Sequence, residues 1–389
     1  MKKWIILCVG LIWVGATVVT AGAAVDLYGS LRFRTYYNSY NSDAMGSSWG
    51  TTEWKNDGLS RLGMNFKSGD ITGKWEIDAA TNAAGYDQKG HGGSERGAMR
   101  LRLAYGVWDF GSGSLLIGQD FPLTDHYVSS LYHSDNDMQG WGGLGFNEAR
   151  VAQMKLKFGN LQFALITPYT AIDPSGMTVG SVNAYLPKLE AKYNGKIGTN
   201  FNYALIGGLQ TYKANDYAVG ASGTSESITS YILAVTARYN YKALSIAALG
   251  KYAQNSGNYG LCAGNPANSF SSWGIGMQHI ANVKRADIAH IVSGDVKNAS
   301  TWGGIVSVGY KFSDLFFLEA GYGYVDHSVA DKSDNGQAAY LHARFTVAPG
   351  VFIMPEFVYY DAMTSKNGSV KVNDGALTTF GIMWRIDFK

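Results

Sequence analysis

The chain has 389 residues with 49 Gly, 7 Pro and 2 Cys; 13% are aromatic, only 16% are charged, and the formal charge is +2. Gly is roughly twice its usual share and charge is well below average, which excludes a disordered chain. The near balance of charge excludes a polybasic nucleic-acid binder. A mean hydropathy of −0.09 is too polar for a bundle of spanning helices, and past residue 25 no uncharged apolar run reaches the ~18 residues such a helix needs.

Lys2 and Lys3 open the chain, residues 4–14 are uniformly apolar, and Ala21-Gly22-Ala23 is a small-x-small cleavage site. Residues 1–23 therefore read as an export signal peptide, with the exported chain beginning at Ala24. A retained anchor helix is the rival. It is disfavoured because alternation starts at once at Val25 with no stop-transfer charges. Without Lys2 and Lys3 the basic residues equal the 30 acidic ones, and Cys262 is left with no intrachain partner. An exported chain of this size without disulfides is stabilised by its own packing or by a membrane.

From Val25 one pattern repeats. VDLYGSLRFRTYY sets Val25, Leu27, Leu31 and Phe33 against Asp26, Ser30, Arg32 and Arg34. LSRLGMNFK sets Leu62, Met64 and Phe66 against Arg61, Asn65 and Lys67. MRLRLAYGVW sets Leu101, Leu103, Tyr105 and Val107 against Arg100, Arg102 and Ala104, and AQMKLKF sets Met154, Leu156 and Phe158 against Gln153, Lys155 and Lys157. Period two is the signature of strands, whose side chains alternate between faces.

A soluble sandwich alternates too. Three features favour a transmembrane barrel: small and polar residues between the charges, aromatic strand ends such as Tyr36-Tyr37 and Tyr359-Tyr360, and linkers that alternate short with long. Sixteen candidate strands fall near 25–37, 58–67, 70–81, 96–109, 114–121, 149–158, 160–171, 187–194, 199–213, 228–241, 243–255, 301–313, 314–327, 338–347, 350–363 and 376–388. Fourteen or eighteen stay open, because 160–213 can be cut differently. No composition shift divides 24–389, which reads as one all-β domain, a closed antiparallel barrel. Two connections are long. Residues 122–148 carry Asp125, Asp135, Asp137 and Glu148 with no Lys or Arg; 256–300 read as an external loop in which Ile280, Val283, Ile288 and Ile291 suit a short amphipathic helix.

A signal peptide followed at once by VDLYGSLRF, the closing FGIMWRIDF and the run LLIGQDFPLTD together resemble the Gram-negative trimeric general porins. Among these the chain is most similar to the homotrimeric outer-membrane porins of sulfate-reducing bacteria. The resemblance implies a 16-stranded transmembrane barrel in the bacterial outer membrane, a homotrimer, and a loop after LLIGQD that folds inward to narrow the pore. It implies passive diffusion of small hydrophilic solutes and ions, with the membrane lipid as the other partner, no cofactor and no catalysis.

Charge patterning fits that implication. Arg32, Arg34, Arg61, Arg100 and Arg102, with Arg344 and Arg385, share the face opposite the apolar one on strands that a closed barrel makes neighbours. A charge on the lipid face costs about 2–4 kcal/mol near the midplane, so they point inward. Asp120, Asp125, Asp135 and Asp137 then complete a pore constriction with a transverse field. The competing reading has the arginines paired structurally with Glu76, Asp78, Glu319 and Glu356. A channel selective for a sugar, phosphate or organic acid, and a barrel used as an adhesin or structural anchor, remain as alternatives. The seven histidines show no metal-binding spacing. Asp125-His126 near Ser129 and Ser130 is the one cluster that suggests a hydrolase, and it lacks a nucleophile signature.

Overall fold

The computed structural model describes residues 24–42, 47–57, 59–80, 98–131, 150–170, 178–218, 225–261, 286–292 and 295–389. The expected leader over 1–23 and Cys262 lie outside them. In chain order the strands are β1 (Ala24–Ser42), β2 (Ser47–Asn56), β3 (Arg61–Ser68), β4 (Ile71–Ala80), β5 (Ala98–Asp109), β6 (Ser114–Asp120), β7 (Val151–Phe158) and β8 (Leu161–Ile166). They continue as β9 (Thr178–Asn183), β10 (Lys188–Ile197), β11 (Phe201–Ala218), β12 (Glu226–Tyr241), β13 (Leu244–Gln254), β14 (His290–Val292) and β15 (Asp295–Lys297). The last are β16 (Ser300–Lys311), β17 (Phe316–Val329), β18 (Lys332–Ala348), β19 (Val351–Asp361), β20 (Thr364–Asn367), β21 (Val370–Asn373) and β22 (Ala376–Phe388). One four-residue helix, α1 (Ser256–Tyr259), follows β13.

Sixteen of these strands form a closed antiparallel wall, and each of the sixteen ranges read from the alternation overlaps one of them. β1 pairs with β3 on one side and with β22 on the other, so the last strand returns to the first. Closure leaves no unpaired edge, the condition for a sheet in hydrocarbon. The other six strands are additions at strand ends. β2 continues the line of β3 along β1, β9 pairs with the end of β11, β20 and β21 form a hairpin on β18, and β14–β15 is a separate ribbon. Gly69 and Gly159, at φ 57° and 54°, make the tight turns after β3 and β7, where a positive φ favours glycine.

Burial is inverted relative to a soluble protein. Leu27, Leu31, Leu233 and Phe380 are exposed to between 58% and 60%, while Arg32, Glu76, Asp78, Arg102, Glu190, Glu319 and Glu356 are buried. Large apolar side chains facing out around a closed wall, with charges facing in, make a membrane-spanning barrel.

Three expectations need correction. Strict alternation put Leu103, Tyr105 and Val107 on the lipid side with Leu101. In the ladder Ile77 pairs with Leu101 but Glu76 pairs with Leu103, so Arg102 is the extra residue of a β-bulge. Beyond it the faces exchange: Leu103 is buried, Trp108 is exposed, and Tyr105 pairs with the inward Lys74. Gln119 Nε2 donates to the Leu101 and Arg102 carbonyls at 2.8 and 3.0 Å, satisfying the groups the bulge frees. Second, Gly29 and Gly381, small residues on the two flanking strands β1 and β22 that in sequence suggest an outward stripe where barrel walls could approach, form none. Gly381 faces in, where a Cβ would collide with Tyr36, and the ring of Phe388 covers Gly29. Third, the helix expected around 280–291 is absent over 286–292, which form a turn leading into β14; Ile280 and Val283 lie outside the described residues. Nor do 255–261 and 286–292 behave as an external loop. Residues 255–261 and 286–291 are buried, and Gly257 N donates to Asp287 O while Ala289 N donates to Asn258 Oδ1.

Candidate functional site

The inner face of β1, β3, β4 and β5 carries an arginine–carboxylate wall. Arg102 Nε donates to Glu76 Oε1 at 2.7 Å and Nη1 reaches Asp78 at 3.5 Å; Arg100 grips both oxygens of Asp78 at 3.0 and 3.1 Å. Tyr28 donates to the other Glu76 oxygen at 2.8 Å. Arg61 Nε donates to Leu59 O at 3.2 Å. Between β2 and β3 the chain breaks its ladder at Asp57. That carboxylate accepts Leu59 N at 2.8 Å and Arg34 Nε at 2.7 Å, with Glu53 a second anion 3.7 Å from Arg34. Arg32 is buried and its Nε donates to Ser30 Oγ at 3.3 Å. At the seam Arg385 and Asp387 pair at 2.5 Å. The arginines are thus neutralised largely from their own neighbouring strands, because register sets Arg100 opposite Asp78 and the bulge brings Arg102 between Asp78 and Glu76.

Residues 121–131 leave β6 and run against the inner faces of distant strands. Thr124 donates through its amide and hydroxyl to Glu190 of β10, both at 3.1 Å. Arg238 of β12 reaches the Tyr127 carbonyl at 3.5 Å, Ser307 of β16 donates to the Val128 carbonyl at 2.5 Å, and Ser130 Oγ donates to Glu319 of β17 at 3.1 Å. Val128 and Leu131 pack with Tyr40, Leu249, Ile305, Tyr340 and Tyr360 in an apolar cluster inside the barrel.

Asp120 and Asp125 on this side have cations of their own beside them. Asp120 pairs with Lys155 at 2.6 Å. Asp125 lies near Arg150 and Lys192, and burial pushes its carboxyl up to about 7 against their pull. One of its oxygens is enclosed without a hydrogen-bond partner. Lys192 Nζ donates to His126 Nδ1 at 3.1 Å. Burial, then Lys192 and Arg238, hold that imidazole down at about 4 and therefore neutral. Asp135 and Asp137 lie outside the described residues. Sequence reasoning missed Glu190, Lys192 and Arg238, although KLEAKYNGKI sets Lys188, Glu190 and Lys192 against Leu189 and Tyr193 by the same period of two. Among the described residues no cluster of His, Cys, Asp and Glu is placed to hold a metal ion, and Ser130 and His126 turn to Glu319 and Lys192.

No protein-family model and no curated protein matches the chain. Solved structures do. The outer membrane channel DcaP of Acinetobacter baumannii is 18% identical with a TM-score of 0.67, over 95% of this chain and 98% of that one. OmpT of Vibrio cholerae, in its trimer form, is 17% identical at 0.56 over 94% and 100%. The anion-selective porin from Comamonas acidovorans is 12% identical at 0.55, also over 94% and 100%. The shared feature is the fold, that of Gram-negative outer-membrane barrels; nothing among them supports the narrower resemblance to porins of sulfate-reducing bacteria.

Proposed function

We propose that this chain is an outer-membrane porin, a water-filled channel for passive diffusion of small hydrophilic solutes and ions, working as a homotrimer without catalysis. The observation that carries this reading is the closed sixteen-stranded wall with apolar residues outside and an arginine–carboxylate lining inside. The fold likeness to an outer-membrane channel and a porin supports it. The segment 121–131, with Asp120 and Asp125, is the inward loop that narrows the lumen. Arg32, Arg34, Arg61, Arg100 and Arg102 line the facing wall, and Asp135 and Asp137 belong to the continuation of that loop.

Inward-facing cations and acids hold a fixed field that orients dipolar solutes and disfavours apolar ones. Planar-bilayer recordings test the reading: purified protein is expected to give discrete conductance steps and to let small sugars swell liposomes. Folded protein that inserts and gives neither is an anchor or an adhesin. Lys155, Lys192 and Arg238 gathered around the inward loop favour one refinement, a preference for anionic solutes, which reversal potentials in a salt gradient measure.

A further inference from the structure

The inner face of the wall is not polar all round. On β11, β12 and β13 the inward residues Ala204, Ile206, Ile232, Ala234 and Ala253 are apolar and almost fully buried, while outward Leu205, Leu233 and Val235 on the same strands are exposed. Gln210, Ser230, Thr236 and Lys251 border these residues on the same face, and the apolar patch among them is closed to water. What covers the inner face is the chain itself: Tyr259 and Leu261, from the connection after β13, complete the cluster.

That connection is fixed at many points. Tyr259 is held at both ends from one strand face, since Lys188 Nζ donates to its carbonyl at 3.1 Å and its hydroxyl donates to Glu190 at 2.9 Å. The Lys188 ammonium also stands 4.3 Å from the centre of the Tyr259 ring. Asn258 donates to Tyr212 at 2.9 Å, and Gln210 donates to the Asn258 carbonyl at 3.1 Å. Asn255, at φ 55°, accepts Ala299 N at 2.7 Å and donates to Thr229 O at 2.9 Å. Ser256 and Thr301 share a hydrogen bond at 2.8 Å. Gly208 leaves room for the Tyr259 hydroxyl, which a Cβ there would strike.

We infer that residues 255–261, with 286–292 and 295–299, are a second inward-folded element, a permanent plug on the β10–β13 side of the barrel. Glu190 accepts from both Thr124 and Tyr259, so it locks this element to the segment 121–131. Solutes are thereby confined to the arginine–carboxylate wall of β1 to β5. This rests on the channel reading for its consequence, but not for its test.

The test is thiol labelling of the folded barrel in a Cys262→Ser background with a bulky anionic maleimide. Ile232→Cys lies beneath the plug and Arg100→Cys, whose side chain is 54% exposed in the wild type, lies on the open wall. Labelling of Ile232→Cys is expected to be at least about a hundredfold slower, because it requires a rare local opening. Adding Tyr259→Ala and Leu261→Ala is expected to bring the two rates within about tenfold of each other. Where that combination fails to fold, Gly208→Ala, which displaces only the Tyr259 ring, is expected to speed labelling in the same direction. Equal rates for the two single-cysteine barrels, both shown to be folded by heat-shifted gel migration, would overturn the inference. So would Ile232→Cys labelling that neither combination accelerates. Slow labelling in a barrel that gives no conductance sinks the channel reading and leaves the plug standing.

Discussion

Arg100 and Arg102 stand two residues apart, yet their removal has different costs. Arg102 is buried against Glu76 and Asp78, themselves buried, and taking away one partner of such a group leaves an uncompensated charge. Arg102→Ala is expected to cost about 3–5 kcal/mol in urea unfolding from lipid vesicles. Arg100 is half exposed and its partner Asp78 keeps Arg102, so Arg100→Ala is expected to cost about 1 kcal/mol or less. Similar losses for the two would show that the Arg102 pairs are not the buried support described here.

Asp125 supplies a pH dependence. Its carboxyl is held up at about 7, so the folded barrel keeps a proton that the unfolded chain loses near pH 4, and stability falls as pH rises between those values. The loop also gains a negative charge as pH rises through about 7. The neighbouring His126 stays neutral there because it is held near 4. Cation preference, read from reversal potentials, is therefore expected to increase from pH 6 to pH 8 in the wild type and to stay flat in Asp125→Asn. A flat wild-type profile would remove Asp125 from the conduction path. The inward orientation of the five arginines was legible from a period of two. Of their partners, the competing reading had named Glu76 and Asp78, which hold Arg100 and Arg102; Glu53 and Asp57, which hold Arg34, were not legible, because pairing depends on register across strands, and no single segment encodes register.

Strands were more legible than their exceptions. All sixteen wall strands follow from alternation and turn residues, since both are local properties. The bulge at Arg102 is not local: one extra residue in MRLRLAYGVW leaves the alternation intact and shows only when β4 fixes the partner of each position. The connection after β13 failed for a related reason. The apolar patch on the inner surface of β11, β12 and β13 was present in the sequence as Ile206, Ile232 and Ala253. Its meaning needed the knowledge that those residues meet at one place, opposite Tyr259 and Leu261. A helix was expected where 286–292 are instead drawn out by Asn258 and the backbone of Gly257.

For the whole molecule, the homotrimer is part of the proposal; a barrel of the same fold has been solved in trimer form, and Gly29 and Gly381 add no support, with Gly381 inside and Gly29 beneath Phe388. Unboiled protein extracted in mild detergent is expected to migrate near three times the mass of the boiled chain, and a purely monomeric band would exclude the trimer. The covered apolar face inside the barrel bears on any attempt to engineer a wider pore. Excising the segment that carries Tyr259 would not hand its volume to water. It would bare an oily strip of Ile206 and Ile232, which water wets poorly and ions avoid. A larger bore in this scaffold requires repainting β11 to β13 with hydroxyl and amide side chains in the same step.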